Sequence, residues 1–180
     1  QHAELVRMSA ETMLEQARLM QVLARDERLR EELVLQLIGA AAGTPAAEWA
    51  LEWARRLQVD LSVPRVALLI DIDAPALAAD AVLAEQQRLR QQLSALEPGV
   101  LSAPVSLREL AVLLPVPSGE GDPPRLRARV ERLQLRLAAE GAHVRFALGG
   151  LFAGVDGEGL VRSWQSARAT LRVGRRRQPG

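Results

Sequence analysis

From residue 65 to residue 171 the chain alternates short apolar runs with longer stretches whose apolar residues recur at helical spacing. Their order constrains the fold more than any single motif does. The run "RVALLID" (65–71) has the length and composition of a strand, and Val82, Leu89, Leu93 and Leu96 then mark a helical stripe. Two candidate strands follow, "VLSAPVS" and "ELAVLLP", and the loop-forming segment "PSGEGDPP" (117–124) closes that part. A second helix places Leu126, Val130, Leu133 and Leu137 on one face and Arg125, Arg129, Arg132 and Arg136 elsewhere. "HVRFALGG" (143–150) reads as a strand, and Leu160, Trp164, Ala167 and Leu171 as the stripe of a last helix. The first six elements spell βαββαβ. This order predicts an α+β fold of ferredoxin-like type, in which an antiparallel sheet carries its helices on one face. Such a fold hosts many functions, so function has to be argued from sites.

A long helix is predicted ahead of this unit. Residues 3–42 keep helical periodicity almost throughout, and Val6, Ala10, Met13, Ala17, Met20 and Ala24 follow alternating steps of four and three. That is the spacing of a coiled-coil seam. Forty helical residues would extend ~60 Å, more than a small domain needs. A helix of this kind packs on its own domain, pairs with a second subunit or joins two domains. Met13, Ala17, Met20 and Ala24 are the candidates for contact between subunits. The segment "AAGTP" breaks the pattern, with Thr44 suited to an N-cap and Pro45 to the first helical position. A short helix then carries Trp49, Trp53 and Leu57 on one face, where the tryptophans read as packing anchors. The expected division is a linking and dimerisation helix over 1–43 and a regulatory domain with its helical connector over 44–180.

Composition excludes several classes. With no cysteine, the chain has neither a disulfide framework nor a thiol nucleophile, which fits a cytoplasmic setting. All basic residues are arginine and the net charge is +1; without Arg172, Arg175, Arg176 and Arg177 the acids exceed the bases by three. The folded part therefore lacks the broad basic footprint of a nucleic-acid binder. The terminal arginines suit a solvated helix end, where positive charge complements the helix dipole. No apolar run approaches the ~20 residues of a membrane span, so no membrane partner is expected.

Two carboxylates invite a chemical reading. Asp71 and Asp73, in "LLIDIDA", end the first strand two residues apart and so share a face. Glu109 lies just after the hairpin turn, on a strand that neighbours the first in this fold. Three oxygen donors of this kind suit Mg²⁺; solvated acids at strand ends look the same. The turn itself is Ser106-Leu107, with no glycine to let phosphates approach bare backbone. Leu107 places a branched side chain where a nucleotide would lie. His143 reads as a strand-edge residue, and Gly149-Gly150 as relief of crowding at a strand end.

Four segments, "LLIDID" (68–73), "SLRELAVLLP" (106–115), "VRFALGG" (144–150) and "SWQSARATLRVGRRR" (163–177), occur in the order of the corresponding segments of GGDEF domains, the diguanylate cyclases. Aligned on "AVLLP", Ser106-Leu107-Arg108-Glu109-Leu110 stands where that family has Gly-Gly-Asp-Glu-Phe, and only Glu109 is retained. The chain thus resembles a cyclase whose catalytic turn is gone. A wider resemblance, carried by "EQARLMQVLARDERLREELVLQLIGA" (15–40), "TPAAEWALEWARRLQVDLSVPRVALLIDID" (44–73) and "SARATLRVGRRRQP" (166–179), is to the carbohydrate diacid regulators, bacterial transcription factors.

That resemblance implies a linking helix and a degenerate GGDEF-like middle domain from a longer protein. A sugar-diacid recognition domain would precede this segment, and a DNA-binding helix-turn-helix domain would follow it. The implied chain is a homodimer and not an enzyme. It contacts sugar diacid and DNA only through those other domains, and no residue here is assigned a catalytic, cofactor-binding or metal-binding role. The alternative implied by the same segments is a cyclase-like domain that retains nucleotide or metal binding at Asp71, Asp73 and Glu109.

Overall fold

The computed structural model describes residues 2–39, 45–73, 76–152 and 158–177. Nine elements follow in order: α1 (His2–Gly39), α2 (Pro45–Arg56), β1 (Arg65–Ile72), α3 (Ala79–Leu96), β2 (Leu101–Pro104), β3 (Glu109–Pro115), α4 (Pro123–Ala139), β4 (Val144–Leu148) and α5 (Glu158–Arg177). The strands form one sheet in the order β2-β3-β1-β4 with antiparallel neighbours, the order of the predicted ferredoxin-like arrangement. Thr44 lies outside the described residues, and α2 begins at Pro45.

Strand alternation sorts the core into two layers. On one face Val66, Leu68, Ile70 and Ile72 of β1 join Leu110, Val112 and Leu114 of β3. Val82, Leu89 and Leu93 of α3 cover them, together with all four predicted stripe residues of α4. This is the side the element order foretells. The opposite face is covered as well. Ala67 and Leu69 of β1, Ala103, Ala111, Leu113 and Ala147 pack against Leu33, Val34, Leu37 and Ile38 of α1, Ala50, Ala54 and Leu57 of α2, and Trp164, Ala167 and Leu171 of α5. The domain therefore has three layers, and β1 is buried along its whole length. Its near-continuous apolar run reflects this, because a strand covered on both sides has no face to leave polar.

Small residues set the spacing on that second face. Ala103 pairs with Ala111, which pairs with Leu69, which pairs with Ala147, a row across all four strands. Short side chains there let α1, α2 and α5 approach the sheet. Gly149, just past β4, takes this furthest. A Cβ at that position would lie 2.1 Å from the Ser163 carbonyl oxygen of α5. Beside it, the fully buried Ser163 hydroxyl accepts a hydrogen bond from the Ala67 amide at 2.8 Å.

Helix α1 divides into two parts. Leu33, Val34, Leu37 and Ile38 are core residues, whereas every residue from 11 to 28 is exposed. Where the helix joins the domain, Arg90 of α3 holds it through Glu31 at 2.5 Å and Glu27 at 3.5 Å. The Arg90 guanidinium also lies 3.3 Å from the Ser102 hydroxyl on edge strand β2.

Candidate functional site

The predicted acidic residues gather at one end of the sheet. β1 is the central strand here, so Asp71 has a cross-strand neighbour on each side. Its register partner is Glu109 on β3 and Arg145 on β4. Directly opposed residues point to the same face, which makes Glu109, Asp71 and Arg145 one row. Asp73 follows two residues after Asp71, where its amide bonds to the His143 carbonyl at 2.8 Å. His143 itself is exposed beside the start of β4.

Arg145 decides the character of this row. Its Nη2 lies 2.9 Å from Asp71 Oδ2 and 3.6 Å from Asp73 Oδ1. The Asp71 side chain is only 3% exposed, Arg145 is 37% exposed and Asp73 is 51% exposed. The pair thus runs from the protein interior to the surface. A buried carboxylate is tolerated when it is paired, and the Arg145 guanidinium supplies that pairing. Two acids that the sequence offers as cation ligands share a cation that the chain itself provides. Among the described residues no group of three His, Cys, Asp or Glu side chains is placed to hold a metal ion.

The turn at the same end is fixed from beneath. Gln86, only 3% exposed on the buried stripe of α3, donates from Nε2 to the Ser106 carbonyl at 2.7 Å and to the Leu107 carbonyl at 3.0 Å. The Ser106 hydroxyl accepts from the Arg108 amide at 3.4 Å, and the Arg108 carbonyl accepts from the Ile72 amide at 2.8 Å. Val105 and Ser106 amides both bond to the Glu109 carbonyl. The bend is made without a residue of positive φ, since Gln58 is the one non-glycine residue in that region among the described residues. Leu107 projects with 43% exposure, while its carbonyl and that of Ser106 are taken up from beneath by Gln86. A phosphate-binding loop needs the opposite arrangement, with amides outward and no side chain above them.

Two residues of this end were not singled out from the sequence, Arg145 and Gln86. Arg145 is an arginine inside an apolar strand pattern, and Gln86 interrupts an apolar helical stripe between Val82 and Leu89. A polar residue at a core position is the one signal either gave.

The four seam residues lie elsewhere. Met13, Ala17, Met20 and Ala24 all fall on the exposed part of α1. Six large apolar side chains there, Met13, Leu14, Leu19, Met20, Val22 and Leu23, are each 56–67% exposed. At the other end of the chain α5 continues to Arg177, so the basic run closes a helix.

The family model described as "GGDEF-like domain" matches residues 42–173. The carbohydrate diacid regulator of Escherichia coli (strain K12) is 44% identical over 181 residues, covering 99% of this chain and 46% of that protein. The chain thus spans about half the length of that curated relative. No solved structure matches the chain.

Proposed function

The chain belongs to the GGDEF-like domain family, and from that membership we propose that it is the non-catalytic regulatory and dimerisation module of a bacterial transcriptional activator that responds to sugar diacids. In this reading the segment is cytoplasmic. Residues 1–43 form the linking and dimerisation helix and residues 44–180 the regulatory domain. DNA and sugar diacid are engaged by domains outside this segment.

The observation that carries the proposal is the bare arm of α1. Most helical stability in proteins comes from packing an apolar face rather than from propensity. Large exposed apolar patches mark interaction sites. Here Met13, Ala17, Met20 and Ala24 lie at coiled-coil spacing on exposed helix, and the seam line continues into Glu27 and Glu31. Arg90 takes up both glutamates, so the apolar seam ends where the helix docks on its own domain. A second copy packed along residues 13–24 would cover the seam without disturbing that dock. The arm would then carry a change in the diacid-binding domain to the regulatory domain. Coupling of this kind requires two arrangements of the helix pair that the effector favours unequally.

The cyclase-like alternative has less support. Leu107 projects from the bend with 43% exposure, and the guanidinium of Arg145 holds the acids a metal would need. Sedimentation velocity across a range of protein concentrations tests the proposal, with calorimetric titration by GTP, cyclic di-GMP and Mg²⁺ alongside. A concentration-dependent dimer and no saturable heat are expected. A monomer at every concentration would remove the dimerisation role, and saturable heat with a nucleotide would move the function to the alternative.

A further inference from the structure

We propose that Arg145 is a built-in cation that replaces a divalent metal between Asp71 and Asp73, so that the site is closed to metal by the protein's own side chain. A regulatory module can hold a metal as readily as lack one, so this inference stands apart from the functional reading above.

Three observations carry it. First, the nitrogen standing between the two carboxylates is Nη2 of Arg145, 2.9 Å from one and 3.6 Å from the other. A metal bridging the same two groups would have to displace it. Second, the position is enforced by the sheet. Arg145 is the register partner of Asp71, and pairing continues on both sides of it through Ile72–Val144 and Ile70–Phe146. The base of the side chain therefore cannot move away without breaking the ladder. Third, the charges are arranged for a cation. Asp71 is buried, Asp73 is beside it, and Glu109 lies across from Asp71 on the other strand. Acids so grouped repel one another unless a positive charge intervenes. A guanidinium supplies a single charge that no accessible pH removes, spread over a planar fork that matches carboxylate geometry. Mg²⁺ and Mn²⁺ supply two charges but need oxygen ligands close at hand and usually keep part of their water. With arginine in place, the position between the two carboxylates is already taken by a cation of the chain's own.

Removing the guanidinium should convert the site. In Arg145→Ala, Asp71 and Asp73 lose their shared cation while Glu109 stays in register, which leaves an acidic centre open to solvent. Mn²⁺ is the probe, its unbound fraction read by electron paramagnetic resonance on the full chain. Wild-type protein is expected to leave the Mn²⁺ signal unchanged at millimolar ion. Arg145→Ala is expected to bind one Mn²⁺, with apparent affinity at least about ten-fold above wild type. Arg145→Lys, which keeps a cation, should behave as wild type. Asp71→Asn introduced into Arg145→Ala should abolish the gain. Should Arg145→Ala fail to fold, Arg145→Gln serves in its place, because its amide keeps polar bulk and removes only the charge. Two results would overturn the proposal: stoichiometric Mn²⁺ binding by wild type that Asp71→Asn removes, or the absence of any gain in the folded charge-free variant.

Discussion

Gln86 on α3 and Leu107 at the tip of the β2–β3 connection are joined by a hydrogen bond of 3.0 Å, and the same amide nitrogen reaches the Ser106 carbonyl at 2.7 Å. A helix of the core thereby fixes the shape of a bend that has no glycine. Replacing Gln86 with Leu keeps apolar volume but removes both donors. The carbonyls at the tip can recover part of the loss from water, so a cost of about 1–2 kcal/mol is expected. For a chain of this size that lowers Tm by roughly 3–6 °C. Hydrogen exchange at the Ser106 and Arg108 amides should quicken while that of the central strand β1 stays slow. Unchanged exchange at the bend would show that Gln86 does not hold it.

The ion pair of Asp71 and Arg145 makes a separate prediction about stability. Asp71 is almost wholly buried, so neutralising its partner leaves a charge inside the protein, whereas neutralising both does not. Arg145→Gln should therefore destabilise more than the double variant Asp71→Asn, Arg145→Gln. Because the arginine is 37% exposed, solvent screens the pair, and the coupling from a double-mutant cycle in urea should be about 1–2 kcal/mol. Strictly additive effects would mean that solvent, and not Asp71, satisfies the guanidinium.

Close approach of β4 to α5 sets a stricter limit. A methyl group on Gly149 would overlap the Ser163 carbonyl, whose backbone cannot yield without shifting the helix. Gly149→Ala should cost about 3 kcal/mol or more. Ser163→Ala leaves the Ala67 amide without its acceptor in a fully buried site and should cost about 1–3 kcal/mol. Thermal melts of the two variants rank these effects, with Gly149→Ala the lower. A wild-type Tm for Gly149→Ala would show that the two elements are not packed so tightly.

These contacts also show what can be read from the chain alone. Val130, Leu133 and Leu137 announce α4 because helical period and burial coincide, and the order βαββαβ then dictates the sheet. Gly149 was legible as relief of crowding because a glycine ending a strand pattern has few other uses. The covering of the second face does not follow from the element order, although the unbroken run from Val66 to Ile70 carries that information. Arg145 and Gln86 stayed hidden for a different reason. Each acts on a partner brought near by strand register or helix docking, and spacing along the chain does not encode such partners. Asp71 and Asp73 were found as a pair for the converse reason, since period two in a strand places them on one face.

The arm of α1 makes the prediction closest to function. Met20 stands at the middle of the seam with 67% of its surface exposed, so among the described residues it is left largely uncovered. If a second copy does, Met20→Glu places a charge in an apolar contact with no partner of opposite sign. The desolvation penalty should weaken self-association by about 2 kcal/mol or more, roughly thirty-fold in dissociation constant. Arg18→Gln changes the net charge by the same amount but lies on the other side of the helix, away from Met13, Ala17, Met20 and Ala24. It should leave association near wild type. Neither substitution touches the core, which begins near Leu33, so the domain's Tm measured at low concentration should hold in both. Sedimentation equilibrium of the three proteins separates the outcomes. Equal weakening by both variants would point to net charge, and an unchanged dimer in Met20→Glu would place the contact on some other face of the molecule.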